Sequence, residues 1–194
     1  MKAVCVYCGS SMGASPVYAE AAKAFGRALV AANLGLVYGG GKVGLMGVIA
    51  DEVMAAGGRA IGVIPELLVD KEVGHNGLSE LHVVPDMHHR KKMMADLSDA
   101  FVALPGGAGT LEELFEVYTW AQLGYHHKPV AVLNIDGFYD PLISLLTHTV
   151  SEGFMRQTYF DLLQIDTDPA KLIGKLQSYR PPAKDKWSEM RDSV

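Results

Sequence analysis

The chain has 194 residues, long enough for one domain with a sizeable core and short for two. It is 49% hydrophobic and 20% charged, an ordinary globular composition, and its formal charge of −5 argues against a nonspecific nucleic-acid binder, which is usually basic. No apolar run approaches the roughly 20 residues of a membrane span, and the chain opens on a strand pattern with no signal series before it, so a soluble cytoplasmic protein is expected.

The apolar spacing predicts a strand over 2–8, a Gly/Ser loop and a helix over 16–32. A strand over 34–38 runs into Gly39-Gly40-Gly41, and a helix over 44–56 ends at Gly57-Gly58. A strand over 59–64 is stopped by Pro65. A polar stretch with a short helical piece leads to a strand over 81–84 and a helix over 88–97. A strand over 100–104 meets Pro105-Gly106-Gly107, and a strongly apolar helix covers 110–123. A strand over 129–135, a helix over 140–152, a strand over 162–165 and a helix over 169–179 follow. Strands that alternate with helices predict right-handed βαβ units. The expected fold is α/β, a doubly wound parallel sheet of about seven strands with helices on both faces. One Rossmann-like domain spans 1–180, and 181–194 form a charged tail.

In such sheets ligands bind beyond the carboxyl ends of the strands, where the strand order reverses. The unusual residues cluster there. Gly9-Ser10-Ser11 follow the first strand, and Gly39-Gly40-Gly41 with Gly44 follow the second. Met87, His88, Arg90 and Lys91 follow the fourth, and Gly106, Gly107, Gly109 and Thr110 the fifth. In Pro105-Gly106-Gly107-Ala108-Gly109-Thr110, glycines free the backbone N–H groups and a helix N-terminus adds more, an arrangement suited to phosphate. A tight turn alone would need fewer glycines. Gly9, Ser10, Gly40, Gly41 and Met46, from the first two loops, are candidates for the same ligand surface.

Several features have competing readings. Gly39 to Gly44 matches G-x-G-x-x-G, with Glu66 near the distance of a ribose-binding acid, but it follows the second strand rather than the first. It is no P-loop, because Val43 follows Lys42. Thr110-Leu111-Glu112-Glu113 reads as a capping box, with Thr110 as N-cap and Glu113 reaching back. Alternatively, Glu112 and Glu113 face sugar hydroxyls or a water beside the phosphate. Arg90 and Lys91 open a helix against its dipole, which suggests an anionic ligand or the Glu113 carboxylate as partner; a solvated charged face is the alternative. Cys5 and Cys8 lie on opposite faces of a buried strand and read as core rather than a redox pair. Neither His88-His89 nor His126-His127 shares a helix face, so no metal site is expected.

Together these motifs resemble the LONELY GUY family of cytokinin-activating phosphoribohydrolases, long labelled "lysine decarboxylase". P-G-G-x-G-T-x-x-E appears as Pro105 through Glu113, and G-G-G-x-x-G-L-M-G as Gly39 through Gly47. M-H-x-R-K is Met87 through Lys91, C-V-[YF]-C-G-S-S is Cys5 to Ser11, and T-W-A-Q-L-G is Thr119 to Gly124. The similarity covers about residues 2–180. It implies hydrolysis of the N-glycosidic bond of adenosine-type 5'-monophosphates, with no cofactor or metal. It maps Arg90 and Glu113 onto the catalytic pair. It maps Lys91, the loop Gly106, Gly107, Ala108, Gly109 and Thr110, then Glu112 and Thr119 onto substrate contacts, and Glu72 onto a further acidic contact. His89 stands where many relatives carry Glu or Gln. A non-catalytic carrier of nucleotides or nucleotide-like cofactors and a nicotinamide dehydrogenase are the alternatives. The missing substrate domain disfavours the dehydrogenase. A homodimer or an assembly of dimers is expected, because Leu114, Phe115, Val117, Tyr118, Trp120, Ala121 and Leu123 leave their helix almost no polar face.

Overall fold

The computed structural model describes residues 1–69 and 74–181. Seven strands form one sheet: β1 (Ala3–Tyr7), β2 (Gly35–Tyr38), β3 (Ala60–Pro65), β4 (Glu80–Val84), β5 (Ala100–Ala103), β6 (Val130–Leu133) and β7 (Leu163–Asp166). Their order is β4-β3-β2-β1-β5-β6-β7, and every pairing is parallel. The chain winds outward from β1 to β4, then returns to the other side of β1 with β5. The strand order therefore reverses between β1 and β5, and the carboxyl ends of these two strands flank the crevice where such sheets bind ligands.

Among the described residues the α-helices are α1 (Val17–Ala31), α2 (Gly44–Ala55), α3 (Glu66–Val69), α4 (Met87–Asp96), α5 (Ala108–Gln122), α6 (Asp140–Ser151), α7 (Gln157–Phe160) and, after the last strand, α8 (Pro169–Ser178). Alternate strand residues enter two separate cores, as the two-residue period requires. Val4, Val6, Leu36, Val102 and Leu133 pack against α1, α2 and α8. Ala3, Val37, Val63, Phe101 and Val132 pack against α4, α5 and α6. Cys8 belongs to the first core and Cys5 to the second, both as free thiols. The expected α/β doubly wound sheet is present, with element ends close to their expected positions. Pro65 ends β3 as its last paired residue, opposite Val84. The one-turn helix α7 was not expected, since four residues are too few to show a helical period.

No helix among the described residues is long and apolar enough to cross a membrane. Glu72 and residues 182–194, most of the expected tail, lie outside the described residues.

Candidate active site

Four segments converge beyond the carboxyl ends of β1 and β5 around a cleft of about 280 Å³. Cys8 and Ser10 come from the end of β1, and Met46 from the first turn of α2. Met87, Arg90 and Lys91 come from α4, and Gly107 through Thr110 with Glu112 and Glu113 from α5. Of the residues expected to meet a ligand, the structure thus brings Ser10, Met46, Arg90, Lys91, Gly107, Ala108, Gly109, Thr110, Glu112 and Glu113 to one place.

The phosphate-type loop is shaped by a close packing of backbones. The N–H of Gly9 donates to the Pro105 carbonyl at 3.1 Å, and the Leu45 N–H donates to the Gly9 carbonyl at 3.0 Å. A Cβ on Gly106 would lie 2.2 Å from Thr110 Oγ1 and 2.9 Å from the Gly9 nitrogen, so only glycine fits. With the loop drawn in so tightly, α5 begins at Ala108, after Gly107 as an N-cap with no side-chain hydrogen bond. This corrects the capping box: Thr110 is the third residue of the helix and buried, and Glu113 stands more than a turn inside it. The opening N–H groups of α5 have no acceptor within the helix and point at the cleft end of its dipole, where an anion is favoured.

Glu113 projects from the same helix toward β1. Burial pushes the Cys5 and Cys8 thiols and the Tyr7 hydroxyl up, and the Glu113 charge pushes them in the same direction. Burial thus biases both thiols and the hydroxyl toward their neutral forms, and the charged side chains lining the cleft are those of Arg90, Lys91, Glu112 and Glu113. Arg90 is buried, at 6% exposure. Its Nη2 donates to the Gly39 carbonyl at 3.3 Å, and its Nη1 approaches Met87 Sδ at 3.5 Å. The start of α4 is fixed by Asp86, whose carboxylate accepts from the His89 N–H at 2.9 Å; that backbone bond holds Asp86 below its ordinary value.

Lys91 spans from α4 to α5. Its Nζ lies 2.7 Å from Glu112 Oε1 and 3.0 Å from Glu116 Oε1. Burial alone would lower the ammonium, but the hydrogen bonds to Glu112 and Glu116 outweigh it and hold Lys91 above its ordinary value. The sequence reading did not single out Glu116. The available signal was its spacing of four from Glu112, which puts both acids on one helix face. Cys8 was missed for a different reason: it reads as core, and it is core, but the residue just past a central strand also lines the crevice.

Other expected contacts stand apart from the cleft lining. Gly9 and Gly106 pack backbone against backbone, next to lining residues Ser10 and Gly107. Gly40 and Gly41 are joined to the segment before β4, through the Gly40 carbonyl and an isolated bridge between Gly41 and Gly74. Thr119, exposed on α5, lines a second cleft of about 430 Å³ with Phe115, Phe154 and Tyr159. No group of three or more His, Cys, Asp or Glu able to hold a metal occurs among the described residues.

The fold and the crevice define a parallel α/β protein whose switch point is lined by a glycine-rich loop, two glutamates and a buried arginine. The pattern of the family described as "Possible lysine decarboxylase" matches residues 46–176. A probable cytokinin riboside 5'-monophosphate phosphoribohydrolase of Oryza sativa subsp. japonica is 50% identical over 188 residues, covering 97% of this chain and 77% of that one. A cytokinin riboside 5'-monophosphate phosphoribohydrolase of Arabidopsis thaliana is 48% identical over 178 residues, 92% of this chain and 83% of that one. The chain belongs to this phosphoribohydrolase family, the LONELY GUY family. Among solved structures, a molybdenum cofactor carrier protein of Chlamydomonas reinhardtii has the same fold, with a TM-score of 0.70 at 20% identity over 92% of this chain and 99% of that one. The molybdenum cofactor binding protein of Rippkaea orientalis gives a TM-score of 0.67 at 22% identity, over 92% and 97% of the two chains.

Proposed function

We propose that the protein hydrolyses the N-glycosidic bond of adenosine-type nucleoside 5'-monophosphates, cytokinin nucleotides or AMP, releasing the free base and ribose 5-phosphate. One observation carries the reading beyond the family: the open N-terminus of α5 and the Glu113 carboxylate line the same cleft, on the same helix. A phosphate seated at the N-terminus of α5 leaves its ribose to extend toward Glu113. The phosphate acts as a remote handle whose binding positions the sugar.

The base departs as positive charge develops on the sugar, by analogy with other glycosidic cleavages. Glu113 stabilises that charge and orients a water. The water oxygen bonds to C1′ as the bond to the base nitrogen breaks, and a water proton ends on the released base. Arg90, always protonated, aims charge and serves as no base. In this reading Glu112 and Lys91 contact the substrate, and no cofactor or metal is required. A decarboxylase through a lysine imine is disfavoured on chemical grounds: the lysine lining this cleft is Lys91, and its two carboxylate partners favour the ammonium, which is no nucleophile.

We also propose a cytoplasmic homodimer, its interface built on Phe115 of α5 and Phe154, which line one open cleft. The test of the reaction is chromatography of products from AMP, N6-isopentenyl-AMP and the matching ribosides. Free base and ribose 5-phosphate are expected from the monophosphates, with much slower cleavage of the ribosides. Equal turnover of riboside and monophosphate would sink the phosphate handle. Tight binding of a nucleotide without cleavage would favour a carrier on the same fold.

A further inference from the structure

The segment between β3 and β4 carries a buried histidine that lies outside the cleft lining. His75 is 3% exposed, and three separate pieces of chain hold it. Its Nδ1 accepts the Gly77 N–H at 3.1 Å. A backbone N–H can only donate, so in the neutral ring the proton sits on Nε2, which donates to Asp51 Oδ1 on α2 at 2.9 Å. The backbone N–H of His75 donates to the Gly40 carbonyl at 3.0 Å, and Gly74 beside it bridges Gly41.

The next link leads into the site. Gly39, adjacent to Gly40, gives its carbonyl to Arg90 Nη2 at 3.3 Å. The fit is close: a Cβ on Gly39 would lie 1.9 Å from that nitrogen. The triple-glycine loop is thus gripped on one side by Gly74 and His75 and grips the Arg90 guanidinium on the other. Such a loop has no side chains of its own to fix it, and glycine backbone is the most permissive there is. Something outside it must hold Gly39 in place. A core histidine satisfied by chance needs only its own two ring partners. This one also ties the loop through its backbone and anchors its ring to the helix that the loop leads into.

We propose that His75, oriented by Asp51, is a positioning residue that clasps the Gly39–Gly41 loop and so sets the Arg90 guanidinium in the cleft. The inference rests on the reading of Arg90 as part of the catalytic pair. His75 acts through backbone and touches no substrate. None of the hydrogen bonds of His75 reaches the loop at Gly106–Thr110, so nucleotide binding should be spared while turnover is not.

The test is a double-mutant cycle with AMP as substrate, using His75→Ala, Asp51→Ala and Asp51→Asn, each alone and with Arg90→Lys. His75→Ala should lower kcat about tenfold or more, the order expected when a reacting group is misplaced, with KM changed less than about threefold. Asp51→Ala removes an exposed partner and leaves no hole in the core, so it tests the same point if His75→Ala folds poorly. It should lower kcat in the same direction, and Asp51→Asn, which keeps an acceptor oxygen, should restore most of the loss. In the Arg90→Lys background the His75 and Asp51 substitutions should cost less than about a further twofold, because the anchored group is already gone. Effects that multiply with Arg90→Lys, or a rise in KM with unchanged kcat, would overturn the positioning role while leaving the proposed reaction intact. Full turnover by Arg90→Lys alone would overturn both this inference and the role given to Arg90.

Discussion

At the scale of single residues, Glu113 carries the largest share of the proposed chemistry. Its competing role as a helix cap has lost its basis, since α5 opens at Ala108 and Thr110 is inside it. Glu113→Gln keeps size and polarity while removing the negative charge that a sugar cation needs. We expect this variant to melt close to the wild-type temperature and to lose about 10²–10³ in turnover, the range seen when one transition-state-stabilising group is removed. Parallel melting curves and kcat/KM for AMP decide it. A variant that keeps more than about a tenth of the turnover would show that the carboxylate is not catalytic.

At the scale of elements, α4 and α5 are joined at the cleft by one cation and two carboxylates. Lys91 has its ordinary value of 10.5 raised by its partners, so the sign of the pH effect is fixed. The tie contributes fully below the ordinary lysine value and is lost as the pH climbs through the raised one. The melting-temperature gap between wild type and Lys91→Met should therefore hold steady across neutral and mildly alkaline pH. It should narrow only as the pH rises past about 10.5. A gap that already closes near neutral pH would mean that the Lys91 tie does not stabilise the fold. The elements themselves were legible because each βα unit carries its own punctuation. Apolar strands end in Gly or Pro, and the glycine clusters mark one rim of the sheet. The start of α5 was not legible. Local sequence favours Thr110 as a cap, but the contact of Gly106 with Gly9 and Thr110 draws the loop inward and starts the helix two residues earlier. That contact joins the loops after β1 and β5, far apart in sequence. The position of Thr119 was hidden for a related reason, since a motif gives order along a helix and not which crevice its outer face lines. The tie of His75 to Gly40 was equally invisible, because it depends on a backbone bond between loops of neighbouring strands.

At the scale of the whole molecule, one chain covers most of the apolar pattern of α5 but leaves Phe115 open. Leu114, Val117 and Tyr118 are buried against the sheet side, while Phe115 keeps 36% of its surface exposed. Across the cleft that holds Thr119, Phe154 is 89% exposed. Isolated exposed hydrophobics are ordinary, but two phenylalanines lining one open cleft of about 430 Å³ form a patch of the kind that proteins cover with a partner. A second copy of the same chain is the simplest cover, because a two-fold axis buries the same patch twice. Light scattering at micromolar concentration should give twice the chain mass. Phe154→Asp is the sharper probe, since a side chain this exposed adds almost nothing to the folding of one chain but would be central to the contact. It should leave the melting of the monomer fold nearly unchanged and weaken association by about tenfold or more, as the loss of a buried aromatic anchor does. A wild-type chain that scatters as a monomer, or a Phe154→Asp variant that dimerises as tightly as wild type, would show that this face is not the interface. Phe115 on α5 and Phe154 would then need another explanation for their exposure.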